Sequence, residues 1–169
     1  MTAPCIDEAL VKYASAVTGQ LKARGLTVVT VESCTAGLIS AAMSQAEGAA
    51  TVLHGSFVAY TKADKSKALG VSEALLTQKG SVNAEVAERM ALGALERSPA
   101  DVALAVTGVL GPEKDEDGNP VGLVFISCCH RGRRAKTEKR QYGKLPHDQL
   151  RHYVVRDALH HLAACADAQ

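Results

Sequence analysis

The sequence predicts a layered α/β domain whose sheet is covered by helices on both faces. Three observations predict it. Short β-branched runs that read as buried strands alternate with segments of helical periodicity, the pattern of an α/β layer architecture. The last two strand-like runs are separated by a short polar stretch containing Gly132, a hairpin that makes the sheet mixed instead of purely parallel. No internal repeat, low-complexity tract or linker divides the chain, so 1–169 reads as a single domain.

Residues 6–23 place Ala9, Leu10, Tyr13, Ala14, Val17 and Leu21 on one helical stripe. Gly25 ends that helix, because it takes the left-handed backbone without a Cβ clash. Leu26–Val31 is a short strand, Glu32-Ser33-Cys34-Thr35 follows at once, and Ala36–Met43 is helical again. Val52–Tyr60 predicts a second strand and Lys62–Leu69 a Lys-rich helical turn. Helices over Glu73–Gln78 and Ala84–Arg97 lead to a third strand, Asp101–Val106, which runs into Thr107-Gly108. Gly111–Pro120 is a polar loop, and Gly122–Cys129 and Ala135–Tyr142 form the hairpin. Pro146 takes the first position of the final helix, whose stripe is Leu150, Val154, Ala158, His161 and Leu162.

At 169 residues the chain is long enough to hold a core without disulfides or metal. Nineteen Lys and Arg against eighteen Asp and Glu leave a formal +1, too little basicity for a nucleic-acid partner. The local exception is Arg131, Arg133, Arg134, Lys136, Lys139 and Arg140. These read as a solvated hairpin tip, with a surface for an anionic partner as the other reading. Five cysteines, Cys5, Cys34, Cys128, Cys129 and Cys165, are an odd count without disulfide-framework spacing. No apolar run reaches the ~18 residues of a membrane span. Asp7, Glu8 and Lys12 break the opening segment, so it is no signal peptide. A reducing, cytoplasmic location away from membranes is expected.

In an open α/β sheet, ligands bind in the crevice at the carboxyl ends of strands. Three polar clusters fall at such ends here: Glu32–Thr35, Tyr60–Lys65 and Thr107–Gly111. The first opens a helix, whose free N–H groups and dipole favour an anion or a developing oxyanion. Ser33 there is either an N-cap or a nucleophile. Cys34 is either a competing nucleophile at a helix start or a small buried residue. Lys65 is either a solvated lysine or a base for the serine. The second role requires its pKa to fall from ~10.4 towards ~7 to 8, which costs about 4 kcal/mol and needs burial or a neighbouring cation. Lys62 and Lys67 are the nearby cations in sequence. Gly108 and Gly111 let the backbone approach a ligand and Thr107 supplies a hydroxyl, or the segment is a plain loop.

Other constellations carry less. Asp115, Asp117 and Asn119 suggest a calcium loop, but Pro120 stands where such a loop needs glycine and Ile126 where it needs glutamate. Cys128 and Cys129 are adjacent on a strand and face opposite ways, so with His130 they do not share an ion. No metal is expected. Among His147, His152, His160 and His161, only His147 lies near a helix start, where it can face the site.

Taken together, these motifs resemble a known family. Val31-Glu32-Ser33-Cys34-Thr35-Ala36-Gly37 is similar to the E-S-C-T-G-G signature of the CinA C-terminal domain family. The likeness continues through Gly55–Lys65, Leu69-Gly70-Val71, Gly80-Ser81-Val82 and Glu85-Val86-Ala87. It runs on through Ala105-Val106-Thr107-Gly108, Gly111-Pro112 and Pro120-Val121-Gly122. The resemblance implies a three-layer α/β/α sandwich with a mixed five-stranded sheet. It also implies an amidohydrolase that converts nicotinamide mononucleotide to nicotinate mononucleotide and ammonia, with no cofactor and as a homodimer. By that likeness Ser33 is the nucleophile, Lys65 its base, and Tyr60 and Thr107 orient the serine and the substrate. Glu32, Thr35, Gly37, Ala50, Gly108, Gly111 and His147 are then the expected substrate contacts.

The sequence departs from the family pattern at three points. Gly48-Ala49-Ala50 replaces a G-S-S segment, Leu145-Pro146-His147 replaces G-D-R, and Ala36 replaces one of the two signature glycines. Histidine has neither the fork nor the permanent charge of arginine, which bears on how a phosphate or carboxylate is held. A catalytically weak nucleotide-binding or interaction module is therefore the alternative to the enzyme.

Overall fold

The structure, a computed structural model, describes residues 6–167; Cys5 lies outside the described residues. The elements run α1 (Glu8–Ala23), β1 (Val28–Glu32), α2 (Leu38–Ser44), α3 (Ala49–Val52), β2 (Leu53–Val58) and α4 (Lys62–Leu69). They continue with α5 (Glu73–Lys79), α6 (Ala84–Glu96), β3 (Val102–Gly108), β4 (Leu123–His130), β5 (Lys136–Gln141) and α7 (His147–Asp167). The strands make one sheet in the order β2-β1-β3-β4-β5. β1 is parallel to both β2 and β3, while β4 is antiparallel to β3 and to β5. This is the mixed five-stranded sheet that the hairpin and the family resemblance led one to expect.

Period-two alternation splits the core into two layers. Val28, Leu104, Val106, Val124, Ile126 and Cys128 pack with α1, α2 and α7 through Leu10, Leu21, Ile39, Met43, Leu150 and Leu159. Val29, Val31, Ala103, Ala105 and Cys129 face the other way, onto Leu69, Leu76, Val86 and Met90 of α4, α5 and α6. Adjacent Cys128 and Cys129 thus lie in different layers.

Element edges moved where side chains compete with the backbone. β1 starts at Val28, because the amide and hydroxyl of Thr27 both bond Asp101 Oδ2, at 2.8 and 2.7 Å. α2 starts at Leu38 and not at Ala36: Ala36 and Gly37 take φ of +51° and +94°, outside the helical region. The short α3 was not foreseen, and β2 is trimmed to Leu53–Val58. Pro146 stands just before α7, its carbonyl accepting from the Leu150 amide at 3.0 Å. Arg131 is exposed but also bonded: its guanidinium donates to the carbonyls of Leu95, Ser98 and Ala100, at and just beyond the end of α6. Gly93 in α6 is required by a close approach, since a Cβ there would collide with the Leu69 carbonyl at the end of α4. That contact seats α4 on α6.

Candidate active site

The same alternation that builds the layers separates Glu32 from Ser33. Val28, Thr30 and Glu32 share a face, and the Glu32 carboxylate lies over the start of α2. It accepts from the amides of Gly37 and Ile39 at 3.0 Å each and of Ser40 at 2.9 Å. Ser33, one residue later, belongs to the opposite side. Its amide donates to the Val106 carbonyl at 3.1 Å, which continues the β1–β3 pairing past the strand end. The chain then turns sharply through 34–37, leaving the serine at the carboxyl end of the sheet.

Lys65 arrives from α4. Thr61 caps that helix by accepting from the Asp64 amide, and Lys65 lies one turn on, facing inward. Its side chain is 1% exposed and is among the largest fully buried side chains of the described residues. Nζ stands 2.8 Å from Ser33 Oγ and 3.3 Å from the Tyr60 carbonyl oxygen, to which it donates. Burial lowers the Lys65 pKa to about 8; Cys34 and Asp64 oppose it, and the charge of Lys62, the smallest effect, pushes the same way as burial. The amine is thus partly neutral near neutral pH. Burial pushes the neighbouring Cys34 thiol up to about 12, so this cysteine is a protonated lining group and no thiolate.

A cavity of about 340 Å³ opens over this pair, lined by Ser33, Cys34, Tyr60, Lys65, Thr107, Gly108, Gly111 and His147. Ser81, Val82, Leu110 and the loop residues Glu113–Glu116 complete the wall. The loop is fastened across the mouth. Lys62 Nζ reaches Asp117 at 2.7 Å and Glu116 at 2.9 Å, and the Ser81 amide donates to Asp117 at 3.1 Å. Asp115 accepts from the amides of Asp117 and Asn119 and from the Asn119 side chain, so these acids organise the loop itself.

Several expected roles change. Glu32, Thr35, Gly37 and Ala50 do not line the cavity. Glu32 and Gly37 are bound to each other, Thr35 is fully buried, and Ala50 is exposed on α3. The free amides expected at the start of α2 are therefore engaged by Glu32. The Tyr60 side chain is 63% exposed, and its contact with the dyad runs through its carbonyl. The Thr107 hydroxyl donates to the Ser81 carbonyl at 2.9 Å and holds the cavity wall. Gly108 makes room for β4, since a Cβ would sit 2.6 Å from a Val124 methyl. Ser81 and the loop acids escaped the sequence reading. Ser81 lay within the matched Gly80-Ser81-Val82 segment, whereas Asp115 and Asp117 suggested only a calcium loop and Glu113 and Glu116 carried no signal beyond a polar loop.

Comparison with known proteins supplies independent findings. The family model for the CinA C-terminal domain matches residues 10–166. A nicotinamide-nucleotide amidohydrolase PncC from Enterobacter agglomerans is 41% identical over 123 residues, covering 73% of this chain and 75% of that protein. A CinA-like protein from Chloroherpeton thalassium is 40% identical over 73% of this chain, which spans only 29% of that longer protein. The crystal structure of the competence/damage inducible protein CihA from Agrobacterium tumefaciens superposes with a TM-score of 0.89 at 36% identity, covering 97% of this chain and 98% of that one. A CinA superfamily protein from Escherichia coli gives 0.86 at 34% identity, over 96% and 92% of the two chains.

Proposed function

The chain belongs to the CinA C-terminal domain family, and from that premise we propose that it hydrolyses the carboxamide of nicotinamide mononucleotide through Ser33 and Lys65. One observation carries the reading: a buried lysine with its pKa lowered to about 8 stands 2.8 Å from a serine hydroxyl in a cavity at the carboxyl end of the sheet. A serine needs a base, and a buried amine near its working pH is one. The Enterobacter relative named as a nicotinamide-nucleotide amidohydrolase supports the substrate class.

In this mechanism the neutral Lys65 amine takes the Ser33 proton as Oγ attacks the carboxamide carbon. The tetrahedral oxyanion is received by the backbone amide of Cys34, which follows the nucleophile directly and belongs to the cavity wall. The Lys65 ammonium then returns its proton to the departing nitrogen, releasing ammonia and leaving an acyl ester on Ser33. Water, deprotonated by the same amine, cleaves that ester to the carboxylate.

A module that only bound nucleotide would have no use for a buried, solvent-deprived amine beside a hydroxyl. The test is ammonia release from nicotinamide mononucleotide. Wild type is expected to release it, and Ser33→Ala to lose on the order of 10³-fold or more, about 4 kcal/mol of transition-state stabilisation. No release by wild type, or undiminished release by the variant, removes the reading.

A further inference from the structure

Lys62 and Lys65 are three residues apart on α4 and therefore neighbours on one side of the helix. Their amines part company. Nζ of Lys65 reaches Ser33 Oγ, whereas Nζ of Lys62 reaches Asp117 Oδ1 at 2.7 Å and Glu116 Oε1 at 2.9 Å. The other Asp117 oxygen accepts from the Ser81 amide, and the carboxylate rests so closely on Gly80 that a Cβ there would stand 2.6 Å from Oδ2. Ser81 in turn holds the Thr107 hydroxyl through its carbonyl. A line of contacts thus runs Lys62–Asp117–Ser81–Thr107, from the helix that carries Lys65, through the loop, to the end of β3. Lys62 and Asp117 do not line the cavity themselves, but Lys65, Ser81, Thr107 and Glu116 do.

The loop is acidic, and its acids are kept occupied. Glu113, Asp115 and Glu116 wall the same cavity as Lys65, yet among the described residues the carboxylate that acts on Lys65 is Asp64 of its own helix. Asp115 accepts from its own loop, while Glu116 and Asp117 are both taken by Lys62. Hydrogen bonds to Asp117 and Glu116 raise the Lys62 pKa, so it stays a cation. The other elements packed around α4 bring little charge to the amine. The turn after β1 presents Ser33 and Cys34, α5 and α6 meet α4 through Leu76, Val86 and Met90, and Arg97 of α6 lies against Gly70 at the far end. A carboxylate released beside a buried amine would pair with it and hold its proton, since an opposite charge within about 4 to 6 Å favours the charged form.

We propose that Lys62 is a positioning residue: by holding Glu116 and Asp117 it clasps the wall of the cavity to α4 and keeps both carboxylates away from the Lys65 amine. Asp117 completes the clasp by carrying the hold on to Ser81. The catalytic value of this arrangement rests on the amidohydrolase reading; the clasp and its effect on Lys65 do not.

The experiment follows ammonia release from nicotinamide mononucleotide against pH in wild type, Lys62→Met, Lys62→Arg and Asp117→Asn. Partly exposed ion pairs add little to stability, so Lys62→Met is expected to fold. It frees two carboxylates and removes a repelling charge. Its kcat/KM at pH 7 should therefore fall about 3- to 10-fold and return to within about twofold of wild type at about pH 9.5. Lys62→Arg keeps the charge and should recover most of the loss. Asp117→Asn loosens the wall but leaves Lys62 charged, so KM should rise about 3- to 10-fold without an upward move of the acid limb. A Lys62→Met profile parallel to that of wild type overturns the proposal; should this variant not fold, Lys62→Gln takes its place. Titration of Lys65 by NMR of ¹³C-labelled lysine reads the same effect without turnover, and its midpoint should move up in Lys62→Met. If wild type releases no ammonia and the midpoint still moves, the amidohydrolase reading falls and the clasp stands. An unmoved midpoint sinks the clasp whatever the activity.

Discussion

The two ends of the central strands hold charged side chains in opposite states of satisfaction. At the amino end, Asp101 accepts from the amide and hydroxyl of Thr27, and Arg131 saturates the carbonyls that end α6. At the carboxyl end, Lys65 is buried with a serine hydroxyl and one carbonyl for company, and Arg151 keeps a buried Nε unbonded. Both Asp101 and Lys65 have lowered pKa values, for contrary reasons. Hydrogen bonds from Thr27 favour the charged carboxylate, whereas burial disfavours the charged amine. A shift that stabilises the fold marks the first end, and one that costs stability marks the second. The proposed chemistry sits where the protein leaves charge uncompensated.

Lys65→Met breaks this contrast most directly. Ammonia release should drop by on the order of 10³-fold, while stability at pH 7 rises by about 1 to 3 kcal/mol, because the cost of burying an ammonium disappears. Activity assays and denaturant melts read the two effects. A variant markedly less stable than wild type would show that the amine is not a burden to the fold.

Asp101→Asn should do the reverse, lowering stability by about 1.5 to 3 kcal/mol through the loss of charge-assisted bonds while kcat stays within twofold. The same measurements check it, and a collapse of kcat in a folded variant would dissolve the distinction between the two ends.

The two pH dependences run in the same direction, because both groups hold a proton more weakly when folded, but in different windows. Asp101 has a lowered folded pKa, so its contribution is present above the unfolded carboxylate value and fades as pH falls through the folded one. Lys65 also titrates lower when folded, but it is a base. Its penalty is full below about 8, shrinks as pH rises, and is gone above its ordinary value of 10.5. Activity should therefore climb roughly tenfold from pH 7 to a plateau reached about one unit above a pKa of about 8, as the neutral amine fills from about a tenth of the population. A kcat/KM profile flat across that interval would deny Lys65 its role.

The smallest effect concerns the turn that carries Ser33. Ala36 holds a left-handed φ of +51° that costs a residue with a Cβ about 1 to 2 kcal/mol, part of which glycine's greater unfolded freedom offsets. Ala36→Gly should stabilise by up to about 1 kcal/mol in thermal unfolding. A loss of stability would mean that the Ala36 methyl contributes packing which outweighs its strain.

Local signals in the chain were enough for the architecture. Alternating periodicities, the Gly132 hairpin and the glycine after α1 depend on residues a few positions apart, and they predicted the mixed layered sheet with edges displaced by only a few residues. The matched motifs likewise pointed to Ser33 and Lys65. They did not say which way a residue faces at the turn after β1. Thus Glu32 read as a ligand contact when its carboxylate caps α2, and Thr107 as a substrate group when its hydroxyl holds Ser81.

What the sequence determined by itself was the order of all elements but the short α3, and Ser33 and Lys65 as the candidate pair, because those follow from local propensity and from the motif. Tertiary structure alone decided that Lys65 is sealed from water against Ser33, 32 positions away in the chain, and that Arg151 is left beside His147 without a counter-ion among the described residues. Burial and charge balance are sums over neighbours brought together from distant segments, and no window of sequence contains them.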